Sequence, residues 1–310
     1  MAKSRARLES IRASNSEFVS NLPNVPVAVF IGGTSGIGQG MVEAFARWRG
    51  GQAHIVVIGR NQDAATDILA RFPKPTTTSD SEWTHEFIPC DMTLMSNVHT
   101  ASQAILSKYS KINFLVMTAG YMTTSGRDET AEGIDKKLAV HYYGRWKFLR
   151  ELEGGLRKAK EAGEEARVIS VFSAGGGAPV DLEDLGLKKK YTLRRAEGQA
   201  TTFNDYMIEC FYKRNPNMTF VHAFPGGVDT GLGASSPSVL VRSLWKFLTP
   251  LMVSKEECAE YMWHALLSDG APGARRTGSK SDVIPGVRYS GDEDIAAILW
   301  EHTQDVTKTH

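Results

Sequence analysis

The 310-residue chain has few cysteines, no long hydrophobic run and almost no net charge. Its three cysteines, Cys90, Cys210 and Cys258, are scattered without metal-ligand spacing, so we expect reduced thiols and no metal site. No apolar stretch approaches the roughly 20 residues that a membrane-spanning helix needs. A formal net charge of +1 gives no electrostatic reason to expect nucleic acid or an anionic membrane as a partner. These absences predict a soluble, cytoplasmic protein.

Hydrophobic residues make up 42% of the chain, and strand-like and helix-like segments alternate along it. Repeated β-α-β units of this kind predict a doubly wound parallel sheet, a Rossmann fold with three α/β/α layers. The predicted strands lie at residues 25–31, 53–58, 83–89, 112–117, 168–172 and 218–224. Helical patterns follow the first five of them, at 37–48, 64–72, 94–109, 130–152 and 193–212.

We expect a single domain over residues 25–310, because no linker, repeat or low-complexity tract divides this part of the chain. Residues 1–24 are predicted to form a helical extension on its outside, packed through Leu8, Ile11, Phe18 and Val19. The basic residues near the start of this extension are not followed by an apolar core, so it does not resemble a secretory signal.

The glycine-rich sequence GGTSGIG, at residues 32–38, lies between the first predicted strand and the first helix. Glycines in this position let the backbone turn tightly and approach a pyrophosphate. The helix that follows directs unpaired N–H groups and its positive dipole end at the same anion. Strand, glycine loop and helix in this order therefore predict a dinucleotide site.

The second predicted strand ends in Gly59-Arg60-Asn61. An acidic residue at this edge would accept hydrogen bonds from the adenosine ribose, whereas a basic residue accommodates a 2′-phosphate. Arg60 therefore favours NADP(H), and a solvated surface arginine is the alternative.

Ordered motifs across residues 25–235 resemble those of the short-chain dehydrogenase/reductase family. Besides the glycine loop, they are a Cys-Asp-Met element at 90–92, Thr-Ala-Gly at 118–120, Ser173 at the end of the fifth strand and a Pro-Gly…Thr element at 225–230. The resemblance implies a nicotinamide cofactor held by Gly32, Thr34, Ser35, Gly36, Ile37, Gly38, Arg60, Asp91, Met92, Ala119, Gly120, Pro225, Gly226, Val228 and Thr230.

The catalytic part of the resemblance is weaker. Ser173 stands at the position of the family's serine, but no Tyr-x-x-x-Lys follows it. Tyr191 with Arg195 is the nearest candidate pair. However, a gapless count back from Pro225 puts the family's tyrosine near Arg195 and its lysine near Gln199. His141 stands at the family's asparagine position, where an imidazole could hold a water, act as acid or base, or simply be packed.

The sequence does contain a Tyr-x-x-x-Lys at 143–147, but it precedes Ser173 and is interpreted as a coincidence. An apolar segment around 231–253, including Trp245 and Phe247, stands where the family has a substrate lid, and it could equally cover the core or bind a lipophilic ligand. Dimers through the helices around 130–152 and 193–212 are common in the family, so a homodimer is compatible with the resemblance.

These features predict an NADPH-dependent carbonyl reductase or alcohol dehydrogenase for a small apolar metabolite. The N-terminal helix and the stretch at 142–145 resemble those of divergent fungal members of the family, which implies a role in secondary metabolism. In this hypothesis Ser173 binds the carbonyl oxygen, and Tyr191 or His141 supplies the proton. The alternative is a related protein without hydride transfer: a cyclase, an isomerase, a dehydratase or a cofactor-binding protein. The absent lysine motivates that alternative.

Overall fold

Seven parallel strands form one sheet in the order β3-β2-β1-β4-β5-β6-β9 in the computed structural model, which describes residues 2–75, 82–231, 252–268, 270–286 and 289–309. The strands of this sheet are β1 (Val27–Ile31), β2 (His54–Gly59), β3 (His85–Pro89), β4 (Phe114–Met117), β5 (Arg167–Val171), β6 (Thr219–Ala223) and β9 (Gly273–Thr277). Two short strands, β7 (Val228–Asp229) and β8 (Val253–Ser254), pair separately.

Helices connect these strands and cover both faces of the sheet. They are α1 (Ala2–Ser20), α2 (Gly36–Trp48), α3 (Gln62–Ala70), α4 (Met95–Lys108), α5 (Lys136–Leu138), α6 (Gly144–Glu161), α7 (Leu193–Arg214), α8 (Lys255–Leu267) and α9 (Glu293–Val306). A π-helical turn, Ala139–Tyr143, joins α5 to α6.

Apolar strand residues alternate between two separate cores, one on each face of the sheet. Val29 and Leu115 pack toward α4, α6 and α7, whereas Phe30 and Phe114 pack toward α1, α2 and α8. This two-sided burial explains why the strands are continuous apolar runs in the sequence. The predicted doubly wound sheet with three layers is confirmed.

The strand order reverses at β1, which pairs with β2 on one side and with β4 on the other. In such sheets the connections after the two central strands leave in opposite directions, and a crevice opens at their carboxyl ends. The glycine loop at residues 32–38 directly follows β1 and therefore borders this crevice.

The N-terminal helix α1 packs against α8. Leu8, Ile11 and Val19 are buried there, and the fully buried Asn15 donates to the main-chain oxygen of Glu260 across 2.9 Å. The helix predicted within residues 1–24 is thus present, whereas the division of the chain into an extension and one domain stays a prediction.

Five elements in the last third of the chain were not predicted: the short strands β7 and β8, strand β9, and the helices α8 and α9. The most consequential is α9, because it covers α6 and α7 from within the same chain. The Trp300 ring lies 5.1 Å from those of both Trp146 and Phe211, and Tyr142 Oη lies 2.8 Å from Thr303 Oγ1. The two helices expected to form a dimer surface thus already pack against α9.

Within the described ranges, no helix combines the length and apolarity required to cross a bilayer. The same ranges contain no cluster of three or more His, Cys, Asp or Glu side chains arranged to hold a metal ion. The predicted lid around 231–253 falls mainly on residues 232–251, which lie outside the described residues.

Candidate active site

The glycine loop is packed so closely that side chains would not fit at its key positions. Gly32 has a φ of +92°, and a Cβ built there would lie 2.5 Å from the main-chain nitrogen of Ala119. A Cβ on Gly38 would lie 2.3 Å from both the Gly32 oxygen and Thr118 Oγ1. The loop after β1 therefore lies directly against the segment after β4.

The first turn of α2 begins in this loop without a side-chain cap. Ser35 precedes Gly36, the first residue of the helix, and its hydroxyl makes no capping hydrogen bond. The first N–H groups of a helix have no partner within the helix, and together with its dipole they favour an anion. The geometry thus fits the phosphates of a dinucleotide.

A cavity extends from this loop across the ends of β2, β3 and β4. Eleven of the predicted cofactor residues line it: Gly32, Thr34, Ser35, Gly36, Ile37, Arg60, Asp91, Met92, Ala119, Gly120 and Thr230. Gly38 packs behind the loop, and Pro225, Gly226 and Val228 are not among the lining residues. The wall also includes residues that were not predicted as sites: Ile31, Ile58, Gly59, Cys90, Thr118, Tyr121 and Val140.

Arg60 lies exposed at the rim of this cavity, beside Thr34 and Ser35. No carboxylate in the described part of the chain forms an ion pair with it. The neighbouring Asn61 accepts a hydrogen bond from Ala64 N across 3.0 Å and so caps α3. The guanidinium therefore remains available to a phosphate at the mouth of the cavity.

His141 lies in the π-helical turn, just behind the cavity wall. Its Nε2 accepts a hydrogen bond from the main-chain N–H of Tyr121 across 3.0 Å, and its ring lies 4.5 Å from that of Phe172. Burial, reinforced by the positive charges of Arg145 and Lys137, holds the pKa of His141 well below its usual value. The imidazole is therefore neutral at pH 7.

The main-chain oxygen of His141 accepts a hydrogen bond from Asn204 Nδ2 across 2.8 Å. Asn204 also accepts one from Ser170 Oγ across 2.7 Å, so α7 is tied to both β5 and the π-helical turn. The main-chain carbonyl of His141 thus already accepts a hydrogen bond from within the protein.

Ser173 lies two residues beyond the end of β5, where the chain turns away from the sheet. Its main-chain oxygen accepts a hydrogen bond from Gly176 N across 2.9 Å, which shapes the glycine-rich turn after it. Its half-buried side chain forms no hydrogen bond with any of the described residues. The hydroxyl is therefore available to a ligand.

Tyr191 and Arg195 do not meet Ser173 or line the cofactor cavity. Tyr191 precedes α7, and its hydroxyl is buried near the carboxylate of Asp135, without ordinary hydrogen-bond geometry. Burial, with the adjacent charge of Asp135, raises the pKa of Tyr191 to about 12. Arg195 Nη2 pairs with Asp181 Oδ2 across 2.6 Å. Their proposed catalytic roles stay predictions.

Gln199, one helical turn after Arg195, points back toward the loop that precedes α7. Its Nε2 donates to the main-chain oxygen of Leu185 across 2.7 Å. Gapless counting places the family's lysine at this residue, and here the position holds an amide engaged with the protein's own backbone.

The strand order, the cavity and the glycine loop together agree with the family suggested by the motifs, and its model for short chain dehydrogenases matches residues 26–183. The chain belongs to the short-chain dehydrogenase family. The part that matches includes the glycine loop, Arg60, His141 and Ser173.

Relatives of similar length come from fungi. Oxidoreductase AN1596 of Emericella nidulans is 30% identical over 96% of this chain and 97% of its own. Oxidoreductase andH of Emericella variicolor is 28% identical over 86% of this chain and 76% of its own. The family and these relatives support an oxidoreductase that uses a nicotinamide cofactor.

Solved structures share the fold at low identity. An uncharacterised protein from Mycobacterium paratuberculosis superposes with a TM-score of 0.66 at 18% identity, over 94% of this chain and 97% of that one. An NADPH-bound carbonyl reductase from chicken fatty liver gives 0.58 at 17% identity, over 85% of this chain and 100% of its own. At such identities the likeness concerns the fold alone.

Proposed function

We propose that this short-chain dehydrogenase is an NADPH-dependent reductase that acts on the carbonyl group of a small apolar metabolite. The observation that carries the cofactor choice is Arg60, exposed at the cavity rim and without an acidic partner among the described residues. A carboxylate at this position would favour NAD(H), because it would repel a 2′-phosphate.

The cofactor, when bound, supplies a hydride to the carbonyl carbon. The chain's own residues bind the cofactor and stabilise the carbonyl oxygen. The N–H groups at the start of α2 hold the pyrophosphate, and Arg60 holds the 2′-phosphate. Ser173 donates a hydrogen bond to the carbonyl oxygen, on which negative charge develops, and this interaction is stronger in the transition state than in the ground state.

Reduction of a carbonyl to an alcohol also needs a proton for the oxygen atom. A general acid needs a pKa near the working pH, and the phenol of Tyr191 has a raised pKa. His141 is neutral, its Nε2 accepts a hydrogen bond from Tyr121 N–H and its Nδ1 is buried, so it offers no proton to the cavity. We therefore propose that a water molecule next to Ser173 gives its proton to the alkoxide oxygen and regains one from bulk solvent.

An apolar substrate is proposed from the sequence of the segment around 231–253, whose Trp245 and Phe247 would offer a lipophilic cover. The named relatives are fungal oxidoreductases, which supports a role in the secondary metabolism of a fungus. Location in the cytoplasm belongs to the same proposal.

A cofactor-binding protein without hydride transfer is the second candidate. It is favoured by Gln199, whose amide is engaged by Leu185 where the family has its lysine, and by Arg195, which pairs with Asp181. In that case the fold and the cofactor site would be retained while the proton-transfer machinery was lost.

Two measurements separate these candidates. Binding of NADPH and NADH is followed by the fluorescence of the reduced nicotinamide, and we expect NADPH to bind at least tenfold more tightly. Oxidation of bound NADPH is then followed by absorbance with a panel of aromatic and alicyclic ketones. Tight NADPH binding without oxidation by any ketone would favour the second candidate, and no binding of either cofactor would contradict both.

A further inference from the structure

Arg145 is a buried cation behind the cofactor cavity, and no motif singles it out as a functional residue. It lies in the first turn of α6 and is 1% exposed. Its ring neighbour is Phe172, whose centroid lies 5.5 Å from the guanidinium carbon. No carboxylate of the described residues forms an ion pair with Arg145.

The guanidinium is held by oxygen atoms at the ends of two strands. Nη1 donates to Ser170 Oγ across 2.7 Å and to the Val171 oxygen across 2.9 Å, and Nη2 donates to the Ala119 oxygen across 2.7 Å. The main-chain pairing of β4 with β5 ends at Met117 and Ser170. Arg145 therefore bridges the two strands just where their ladder stops.

This position places a positive charge behind the wall of the cofactor cavity. The main-chain oxygens of Ala119 and Val140 accept hydrogen bonds from Arg145, and both residues line the cavity. Val171, which also accepts from Arg145, lies two residues before Ser173. Burial lowers the pKa of Arg145 to about 9, so the side chain is still charged at pH 7. Burying an ion without a paired counter-ion lowers the stability of the folded protein. An apolar side chain would fill the same space without this penalty, so packing alone does not explain an arginine here.

Other charges near Arg145 do not cancel it. Lys137 on α5 and Arg276 on β9 are cationic, and His141 and His222 have lowered pKa values, to which the charge of Arg145 contributes. The acid that interacts with His222 and Arg276 is Asp205 on α7, which pairs with Arg276 Nε across 2.8 Å and with His222 Nδ1 across 2.7 Å. Asp91 lines the cavity but forms no ion pair with Arg145 among the described residues, so Arg145 contributes a positive potential at the cavity.

We propose that Arg145 is a positioning residue whose fixed positive charge makes the site favour the reduced cofactor over the oxidised one. The oxidised nicotinamide ring carries a positive charge that the reduced ring lacks, so a buried cation behind the cavity destabilises only the oxidised form. The bridge to Ala119 and Val171 also fixes the spacing between the cofactor loop and Ser173. This inference rests on the proposed function.

The test is the ratio of the dissociation constants of NADP⁺ and NADPH, measured by titration calorimetry, which needs no substrate. In Arg145→Met we expect the ratio to fall roughly three- to tenfold, because the repulsion of the oxidised ring is removed. A tenfold fall corresponds to about 30 mV in the potential of the bound cofactor. Arg145→Lys keeps the charge and is expected to stay within about twofold of the wild-type ratio.

Arg167→Met is the matched control. Arg167 is equally buried but lies at the opposite end of β5, where it pairs with Glu165 across 2.7 Å. We expect its loss to lower stability without changing the ratio. Should Arg145→Met fail to fold, Arg145→Gln removes the charge and keeps an amide that can donate to the oxygen atoms at the ends of the two strands. The ratio should fall in that variant as well.

Each outcome decides the inference. An unchanged ratio in folded Arg145→Met or in Arg145→Gln overturns it, as does an equal fall in Arg167→Met. These results would leave the proposed function intact, because both cofactor forms would still bind. Failure of the wild-type protein to bind either NADPH or NADH would instead overturn the proposed function, and this inference with it.

Discussion

The main-chain N–H of Tyr121 donates a hydrogen bond to Nε2 of His141 across 3.0 Å, and this contact fixes the tautomer of the imidazole. An N–H group can only donate, so Nε2 carries no proton, and the neutral ring has its proton on Nδ1. That Nδ1 is buried and finds no partner among the described residues. The ring therefore supports the loop after β4 and resists becoming charged.

This contact predicts a pH-dependent stability. The pKa of His141 is lowered on folding, so below about pH 6.5 the unfolded chain binds a proton that the folded chain does not. The free energy of unfolding should therefore fall with pH below this value, by up to about 1.4 kcal/mol per pH unit for each such histidine. Urea unfolding at pH 7.5, 6.5 and 5.5 measures the slope.

The variant His141→Asn removes the titrating group and keeps an oxygen able to accept from Tyr121 N. We expect its unfolding free energy to depend less on pH than that of the wild-type protein. His222, also buried with a lowered pKa, maintains part of the slope in both proteins. Identical slopes would show that His141 does not titrate as its burial requires.

Close packing of the glycine loop gives a second prediction. In Gly38→Ala the new methyl group would lie 2.3 Å from the Gly32 oxygen, so the loop must move. We expect a loss of about 1–3 kcal/mol in the free energy of unfolding and a loss of NADPH binding of at least tenfold. Chemical denaturation and fluorescence titration measure the two effects.

Gly154→Ala is the matched control, because nothing lies within 4 Å of a Cβ at this position inside α6. Alanine is the better helix former, so this variant should gain up to about 1 kcal/mol and bind NADPH normally. A lower free energy of unfolding in Gly38→Ala and a higher one in Gly154→Ala would agree with the close packing of the glycine loop. A Gly38→Ala variant with full stability and full binding would not.

Most of the sheet could be predicted from the sequence because its strands are buried on both faces. Continuous apolar runs such as 112–117 and 218–224 correspond to β4 and β6 within one or two residues. Strand β9 was missed because it lies at the sheet edge and contains Arg275 and Arg276, whose charges conceal the pattern of a buried strand. The π-helical turn has no recognisable sequence period.

The reaction site was harder to predict because it depends on side-chain direction. Tyr191 and Arg195 are four residues apart, but α7 begins at Leu193, so the pair does not share a helical face. Arg145 had one signal that could have revealed it: it lies among Tyr142, Tyr143 and Trp146, on a helix whose surroundings are apolar. Burying a charged side chain in apolar surroundings is costly unless hydrogen bonds compensate for its lost hydration, so a predicted buried charge indicates a specific role.

Arg60 gives the third prediction, on cofactor choice. In Arg60→Ala the dissociation constant for NADPH should rise roughly ten- to hundredfold, since a charge-assisted hydrogen bond contributes about 1.5–3 kcal/mol. The constant for NADH should change less than about twofold. Arg71→Ala is the control, because Arg71 is similarly exposed but pairs with Glu43 across 2.8 Å. Equal effects on both cofactors would contradict a contact with the 2′-phosphate.

The packing of α9 gives the fourth prediction, on assembly. Trp300 packs on Trp146 and Phe211 and lies 4.9 Å from the guanidinium carbon of Arg214. Trp300→Ala should cost about 3 kcal/mol in the free energy of unfolding. It should also uncover apolar surface on α6 and α7 and promote self-association in light scattering. A wild-type dimer that uses these two helices would contradict the cover formed by α9.

The last prediction compares Ser173 with Tyr191. With any ketone that the wild-type protein reduces, Ser173→Ala should lower kcat about a hundredfold, because it removes a donor to the oxygen on which charge develops. Tyr191→Phe should lower kcat less than about tenfold, since the phenol is buried beside Asp135 with a pKa raised to about 12. NADPH affinity should be unchanged in both variants, which separates catalysis from binding. If Tyr191→Phe were instead the inactive variant, the loop before α7 would have to bring that hydroxyl to the cavity when substrate binds, and the family's tyrosine would be recovered in a closed state.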